Sequence, residues 1–261
     1  MPNSSETAPR GALAGAQSVH RAIAVLRLVA QHNQQGVRLS KVAEKLGLHT
    51  ATVHRMLSVL VKEQLVTHDP VSKLYQIGLE LYSLAALAPQ LSIRDKLHPA
   101  LERIAEKTGD TCHLVLRSGN DAICIDRVVG KYPVQVLTLE VGERRPLGIG
   151  ACALAILSSL PKDEIESIIQ SNRSRYRPYK SRQASDMARS VDKSCQLGYG
   201  LSDRVVNSET IGVGVAVKDQ DGRVVAAISV AGITQRMDKK RQEEIAALIK
   251  SEIKAMGFFC E

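Results

Sequence analysis

The arrangement that most restricts this chain is a pair of short helical patterns meeting at a glycine, followed at once by a hairpin. Ser40 is placed to cap a first helix, KVAEKLG, in which Ala43 and Leu46 face inward and Gly47 stands as the C-terminal stop. After the link Gly47-Leu48-His49-Thr50 comes TATVHRMLSVLVKEQ, whose Val53, Met56, Leu57, Leu60 and Val61 form a second apolar stripe. So tight a turn fixes the crossing angle and makes the second helix protrude, as a helix-turn-helix requires. An earlier helix is read in QSVHRAIAVLRLVAQHN, with Val19, Ala22, Ile23, Leu26, Val29 and Ala30 at helical spacing. Downstream, LVTHDPVSKLYQIG predicts two strands, residues 65–67 and 74–77, around an Asp69-Pro70 turn. That hairpin would be a wing.

The outward face of the protruding helix carries Thr50, Ala51, Thr52, His54 and Arg55. Short hydroxyl and methyl groups can approach base edges, while Arg55 reaches a phosphate or a guanine. Ser18, Arg21, Ser40 and Lys73 complete the expected DNA-facing set, with His68 beside Lys73 on the hairpin. A small helical domain with a solvated polar face would share the amphipathic helices. The ordered succession of helix, short helix, glycine turn, protruding helix and hairpin is what favours double-stranded DNA. A formal net charge of +8 points the same way, toward a polyanionic partner. The absence of Trp and the presence of only two Phe argue against stacking on single strands.

Residues 1–16, rich in Pro, Ser, Gly and Ala, read as a disordered leader with no apolar block of signal-peptide length. No run of about 18 apolar residues occurs, so neither a membrane span nor a membrane partner is expected, and the expected location is cytoplasmic. Cys112, Cys124, Cys152, Cys195 and Cys260 show no C-x-x-C spacing and read as free thiols in a reducing compartment. Residues 77–108 read as mostly helical, interrupted at Pro89 and Pro99. Leu79, Leu81, Tyr82, Leu84, Ala85 and Leu87 give them an apolar side too long for one small domain to bury. A partner chain is one way to cover it; burial within one subunit is the other.

Past Gly109 the pattern turns to strands. DTCHLVLRSG and DAICIDRVVG flank an SGND turn, and PVQVLTLEVGERRPL adds a third extended stretch. GIGACALAILSSL is a helix entered through glycines, and KDEIESIIQS is another. The basic segment NRSRYRPYKSR reads as an exposed connection. A helix in ASDMARSVDKSCQLGYG precedes three closing strands, GLSDRVV, IGVGVAVKD and GRVVAAISVAG, and a final amphipathic helix. This order gives an α+β layer arrangement with an antiparallel sheet.

The segments QSVHRAIAVL, LSKVAEKLGLHTATVHRMLSVLVKEQLV and KLYQIGLELYSLA resemble the DNA-binding half of IclR-type bacterial regulators, and the likeness covers nearly everything after the leader. It implies a winged helix-turn-helix joined to a GAF-like effector-binding domain. The expected organisation is therefore a leader (1–16), a winged helix-turn-helix (17–78), a linker helix (79–92) and an effector-binding and oligomerisation domain (93–261). It implies homodimers or dimers of dimers on a palindromic operator, with half-sites about 34 Å apart. A small carboxylic acid is the expected effector, with no cofactor; no metal site is expected, since no two histidines stand at i, i+4 spacing, and repression is placed ahead of activation.

Residues 147–153 place small side chains at the start of a helix, where unpaired N–H groups and the helix dipole suit a carboxylate. Glycines before a helix are also found at any tight turn. The resemblance selects Gly150, Ala151, Ser202 or Asp203, Gly212, Ser229 and Ala231 as effector-binding positions. The chain departs from family members that bind very small keto acids at Gly212 and Ala231, and has Arg204, Val205 and Val206 where acidic residues are frequent. A roomier, more apolar pocket for an aromatic or longer-chain acid is expected from this. Arg117, Arg127, Arg144 and Arg145 could supply the acid with a positive partner, with surface placement the favoured reading for each. The rival is a hydrolase with Cys152 as nucleophile and His113 as base, which lacks a third, orienting group. No catalytic residue is expected.

Overall fold

The computed structural model describes residues 16–87, 92–179 and 184–260. The chain divides into two compact units, Met1–Leu91 and Ser92–Glu261. The expected leader falls almost wholly outside the described residues, as does Pro89.

The first unit comprises α1 (Gln17–Gln31), β1 (Val37–Arg38), α2 (Leu39–Leu46), α3 (Thr50–Lys62), β2 (Val66–His68), β3 (Leu74–Ile77) and α4 (Glu80–Ala86). Gly47 takes φ +61°, the left-handed conformation that ends α2 and opens the tight turn into α3. Val53, Leu57 and Leu60 of α3 pack with Val42 and Ala43 of α2 and with Val25, Leu28 and Val29 of α1. The inward face of α1 therefore differs from the expected one: Val19 and Ile23 are exposed. Apolar residues lie nearly all round this helix, and contact with α3 and β3 decides which are covered. Ser40 does not cap α2. The short strand β1 pairs with β3 and runs straight into the helix, leaving extended Arg38 as its N-terminal boundary. The wing is a three-stranded sheet in the order β1-β3-β2, and its Asp69 carboxylate accepts the Val71 and Ser72 N–H groups at 3.0 and 3.2 Å.

The second unit opens with α5 (Ser92–Thr108), which runs through Pro99 without a break. Buried Leu97, Leu101 and Ile104 hold the helix on both sides of the missing N–H, so the expected interruption does not occur. Six antiparallel strands follow in the spatial order β6-β5-β4-β9-β8-β7. They are β4 (Thr111–Ser118), β5 (Asp121–Val128), β6 (Arg144–Pro146), β7 (Gly200–Asp203), β8 (Thr210–Lys218) and β9 (Val224–Ile233). The expected third extended stretch shrinks to β6, and residues 129–143 form a loop. The other helices are α6 (Ala151–Ser158), α7 (Lys162–Asn172), α8 (Ala184–Leu197) and α9 (Lys239–Ala255). The basic segment after α7 is not simply exposed, because Tyr176 is fully buried and its hydroxyl donates to the Leu147 carbonyl at 2.9 Å.

Strand alternation sorts the sheet into two faces. Leu114, Val213, Val215, Ile228 and Val230 pack under α5 and α9. Val115, Ala216 and Ala227 pack under α6, α7 and α8. Helix α6 is apolar all round, and Ala151 to Leu157 are buried. It reaches its depth because the strands beneath it are bare: a Cβ on Gly200 or Gly214 would lie 2.5 or 2.6 Å from backbone atoms of Ala151. Among the described residues, no helix is long and apolar enough to cross a membrane.

Candidate effector pocket and DNA-facing helix

The register of the second sheet sets small and polar side chains in rows beneath the start of α6. Ser229 pairs with His113 on one side and Gly214 on the other, while Ala231 pairs with Gly212, which pairs with Ser202. Because side chains repeat every second residue, His113, Ser229, Ala231, Gly212 and Ser202 share the α6 face. They line a cavity of about 50 Å³ with Gly150, Ala151, Arg145, Val206, Thr138 and Leu139 among its other walls. Six of the seven expected effector positions thus meet in one place. Asp203 does not: it is exposed, lies outside the cavity lining and pairs with Arg204 at 3.1 Å. On a strand it must point to the face opposite Ser202.

Arg145 corrects the expectation of a surface residue. Only 6% of it is exposed, and it lines the cavity. Its Nε and Nη2 each donate to Glu143 Oε1 at 3.2 Å, and Nη2 also donates to the Thr138 carbonyl. Its Nη1 points toward α6, since a Cβ on Gly150 would sit 3.8 Å from it. Neighbouring Arg144 keeps to the outside, bonded to Asp121 and Ser118. Of the other arginines read as surface residues, Arg117 pairs with Glu164 and Arg127 with Glu140.

His113, the base of the hydrolase reading, is a buried wall of the cavity with no partner for Nε2. Burial, reinforced by Arg127 and Arg145, lowers its pKa to about 4, so the ring is neutral at pH 7. Cys152 donates its thiol to the Ala227 carbonyl at 3.4 Å, and burial pushes its pKa far up. An activated cysteine needs the opposite environment. Val115, Ile149 and Val206 make much of the remaining wall apolar.

In the first unit Thr50, Ala51, His54 and Arg55 are exposed at the N-terminal part of α3, with Thr52 half-buried. Ser18, Arg21, Ser40 and Lys73 are also exposed, and Lys73 takes φ +60° at the wing tip. His68 stacks on Tyr75 with ring centroids 4.4 Å apart.

Two family models match this chain in tandem: the IclR helix-turn-helix domain over residues 18–70 and the bacterial transcriptional regulator IclR C-terminal domain over 85–256. The chain belongs to the IclR family. It is a transcriptional regulator with an N-terminal helix-turn-helix and a C-terminal effector-binding α+β domain. Among its relatives is the HTH-type transcriptional regulator KipR of Bacillus subtilis, 29% identical over 90% of this chain and 93% of that one. The HTH-type transcriptional repressor AllR of Escherichia coli is 28% identical over 87% of this chain and 84% of its own. An IclR homologue from Microbacterium hydrocarbonoxydans, solved in complex with 4-hydroxybenzoate, shares the fold with a TM-score of 0.74 at 19% identity, covering 92% of this chain and 100% of that one.

Proposed function

We propose that this IclR-family regulator binds a palindromic operator through α3 and the wing, and that a small organic or aromatic acid in the α6 cavity alters that binding. The observation that carries the effector half is the buried Arg145 guanidinium beside the first turn of α6, where N–H groups lack intrahelical acceptors. Gly150, Ala151, Ser202, Gly212, Ser229 and Ala231 shape the site around it. For the DNA half, exposed Thr50, Ala51, His54 and Arg55 with Thr52 read the major groove, while Ser18, Arg21, Ser40 and Lys73 meet phosphates.

Leu79, Tyr82, Leu84 and Leu87 are exposed apolar residues, and we assign them to contact with a second copy, giving a homodimer or a dimer of dimers. A ligand changes the half-site spacing only if it binds the two arrangements of such an assembly with different affinity. The kinship with AllR, named as a repressor, favours repression. No catalytic residue enters this reading.

An aromatic acid is favoured by the apolar walls and by the 4-hydroxybenzoate bound to the Microbacterium homologue. A two- or three-carbon acid is the second reading, because a cavity of about 50 Å³ is well below the roughly 150 Å³ that accommodates benzene. The test is a thermal-stability titration with pyruvate, glyoxylate, benzoate and 4-hydroxybenzoate. A binder at a hundredfold excess over its Kd stabilises by about 2.7 kcal/mol. The compound that shifts the midpoint must then change operator affinity in a gel-shift assay. Failure of every acid to shift the midpoint would refute the effector assignment.

A further inference from the structure

The cavity's only buried guanidinium among the described residues is already in use, and what uses it is the loop that helps close the cavity. Loop residues Thr138 and Leu139 line the space. Both carbonyls accept from arginines, Thr138 from Arg145 Nη2 and Leu139 from Arg127 Nη1 at 3.4 Å. Glu143, at the loop's end, takes two more donors from Arg145. Arg145 Nη1 has no hydrogen-bond partner among the described residues and faces Gly150. The cation is thus buried against one carboxylate that is itself 40% exposed, with one donor unspent and directed at the mouth of α6. The His113 Nε2, buried and unpartnered, marks the same space as one built to hold a polar guest.

We infer that Arg145 is the residue that reads the effector's carboxylate, and that it does so by exchanging the Thr138 carbonyl for the ligand, which frees the 136–143 loop. This rests on the acid-binding reading of the cavity. A carboxylate accepts two parallel N–H bonds from a guanidinium, and Nη1 and Nη2 form the fork that would hold it. The neutral Thr138 carbonyl accepts from Nη2 alone, so an entering carboxylate, charged and bonded to both, outcompetes it for Nη2. Release of Thr138 also enlarges the cavity, the step that an aromatic ring needs and a three-carbon acid does not. The residue that selects for charge is then the same one that reports occupancy to the loop.

The experiment uses the full-length protein, with pyruvate, benzoate and 4-hydroxybenzoate as probes and methyl benzoate as the uncharged control. Calorimetry on the wild type should show binding of at least one acid and none of comparable strength by the ester. Arg145→Met should weaken that acid about 10- to 100-fold and erase the preference for acid over ester, while Arg145→Lys retains part of it. Arg145→Met that is folded by circular dichroism yet binds the acid with wild-type affinity would overturn the inference. Should that variant fail to fold, the wild type alone decides: deuterium uptake by residues 136–143 must rise on acid binding. Unchanged or reduced uptake in the bound state refutes the exchange. If no acid binds the wild type, the acid-binding reading itself falls, an outcome distinct from tight binding that ignores Arg145.

Discussion

Replacing His113 with Gln should flatten the pH dependence of stability on the acid side, by an amount the burial of the ring sets. His113 sits on β4 with 2% of its surface exposed, and its pKa falls from 6.5 to about 4, first through burial and then through the charges of Arg127 and Arg145. The folded chain keeps this ring neutral at pH values where the unfolded chain protonates it. Between those two pKa values the unfolded state therefore binds more protons, and stability rises with pH. The contribution is fully present above about pH 6.5 and is lost as pH falls toward 4. A depression of that size corresponds to about 3 kcal/mol in total, of which about 2 kcal/mol disappears between pH 7 and pH 5. Urea unfolding of wild type and His113→Gln at pH 7, 6 and 5 measures it, since the amide keeps polar reach without titrating. The stability difference between the two proteins should shift by about 2 kcal/mol in the variant's favour on acidification. Parallel curves would mean that the ring is solvated in the folded protein, and that it is no wall of a closed cavity.

Three further outcomes are expected. Arg55→Ala should weaken operator binding about tenfold or more in a fluorescence-anisotropy titration while leaving the ligand-induced thermal shift unchanged; equal loss of both would refute the assignment of α3 to DNA. Ser229→Leu fills the cavity under α6 and should abolish the dose response in a reporter assay with the fold kept by circular dichroism, so an unaltered response removes Ser229 from the site. Gly214→Ala puts a Cβ about where the Ala151 backbone lies, 2.6 Å away, and should cost about 1–3 kcal/mol in urea unfolding. A near-neutral result there would show that α6 rides on the sheet more loosely than its contacts imply.

How much of this could be read in the amino-acid order depends on whether the controlling interaction is local. The helix-turn-helix was legible because each of its parts is set within a few residues: the stripe on α3, the left-handed Gly47, the Asp69 turn of the wing. The burial of α1 was only half legible, because Val19 and Ile23 obey the same period as Val25 and Val29 and only the neighbouring elements choose between them. Pro99 misled for a related reason. A proline breaks a helix that has nothing else to hold it, and here tertiary packing of Leu97 and Leu101 does.

The cavity shows the same division more sharply. Gly212, Ser229 and Ala231 follow from strand parity once the strands are known, and Ser202 with Asp203 could not be separated until the pairing Ser202 to Gly212 fixed which one faces α6. Arg145 was half legible, one of four arginines that could answer an acid, with the surface as the favoured place for each. Two adjacent arginines on a three-residue strand must point to opposite faces, so one of them had to turn inward, and that much was available from the spacing alone. Which one did was not available, because it depends on Ala122 lying opposite Arg145 across a hairpin whose return leg is a long loop. A buried cation is costly unless something answers its charge, and among the described residues the only carboxylate bonded to Arg145, that of Glu143, is 40% exposed. The sequence pattern for such a site is therefore an unpaired inward parity beside a glycine-led helix, a signal that needs both the register and the chemistry before it means a ligand.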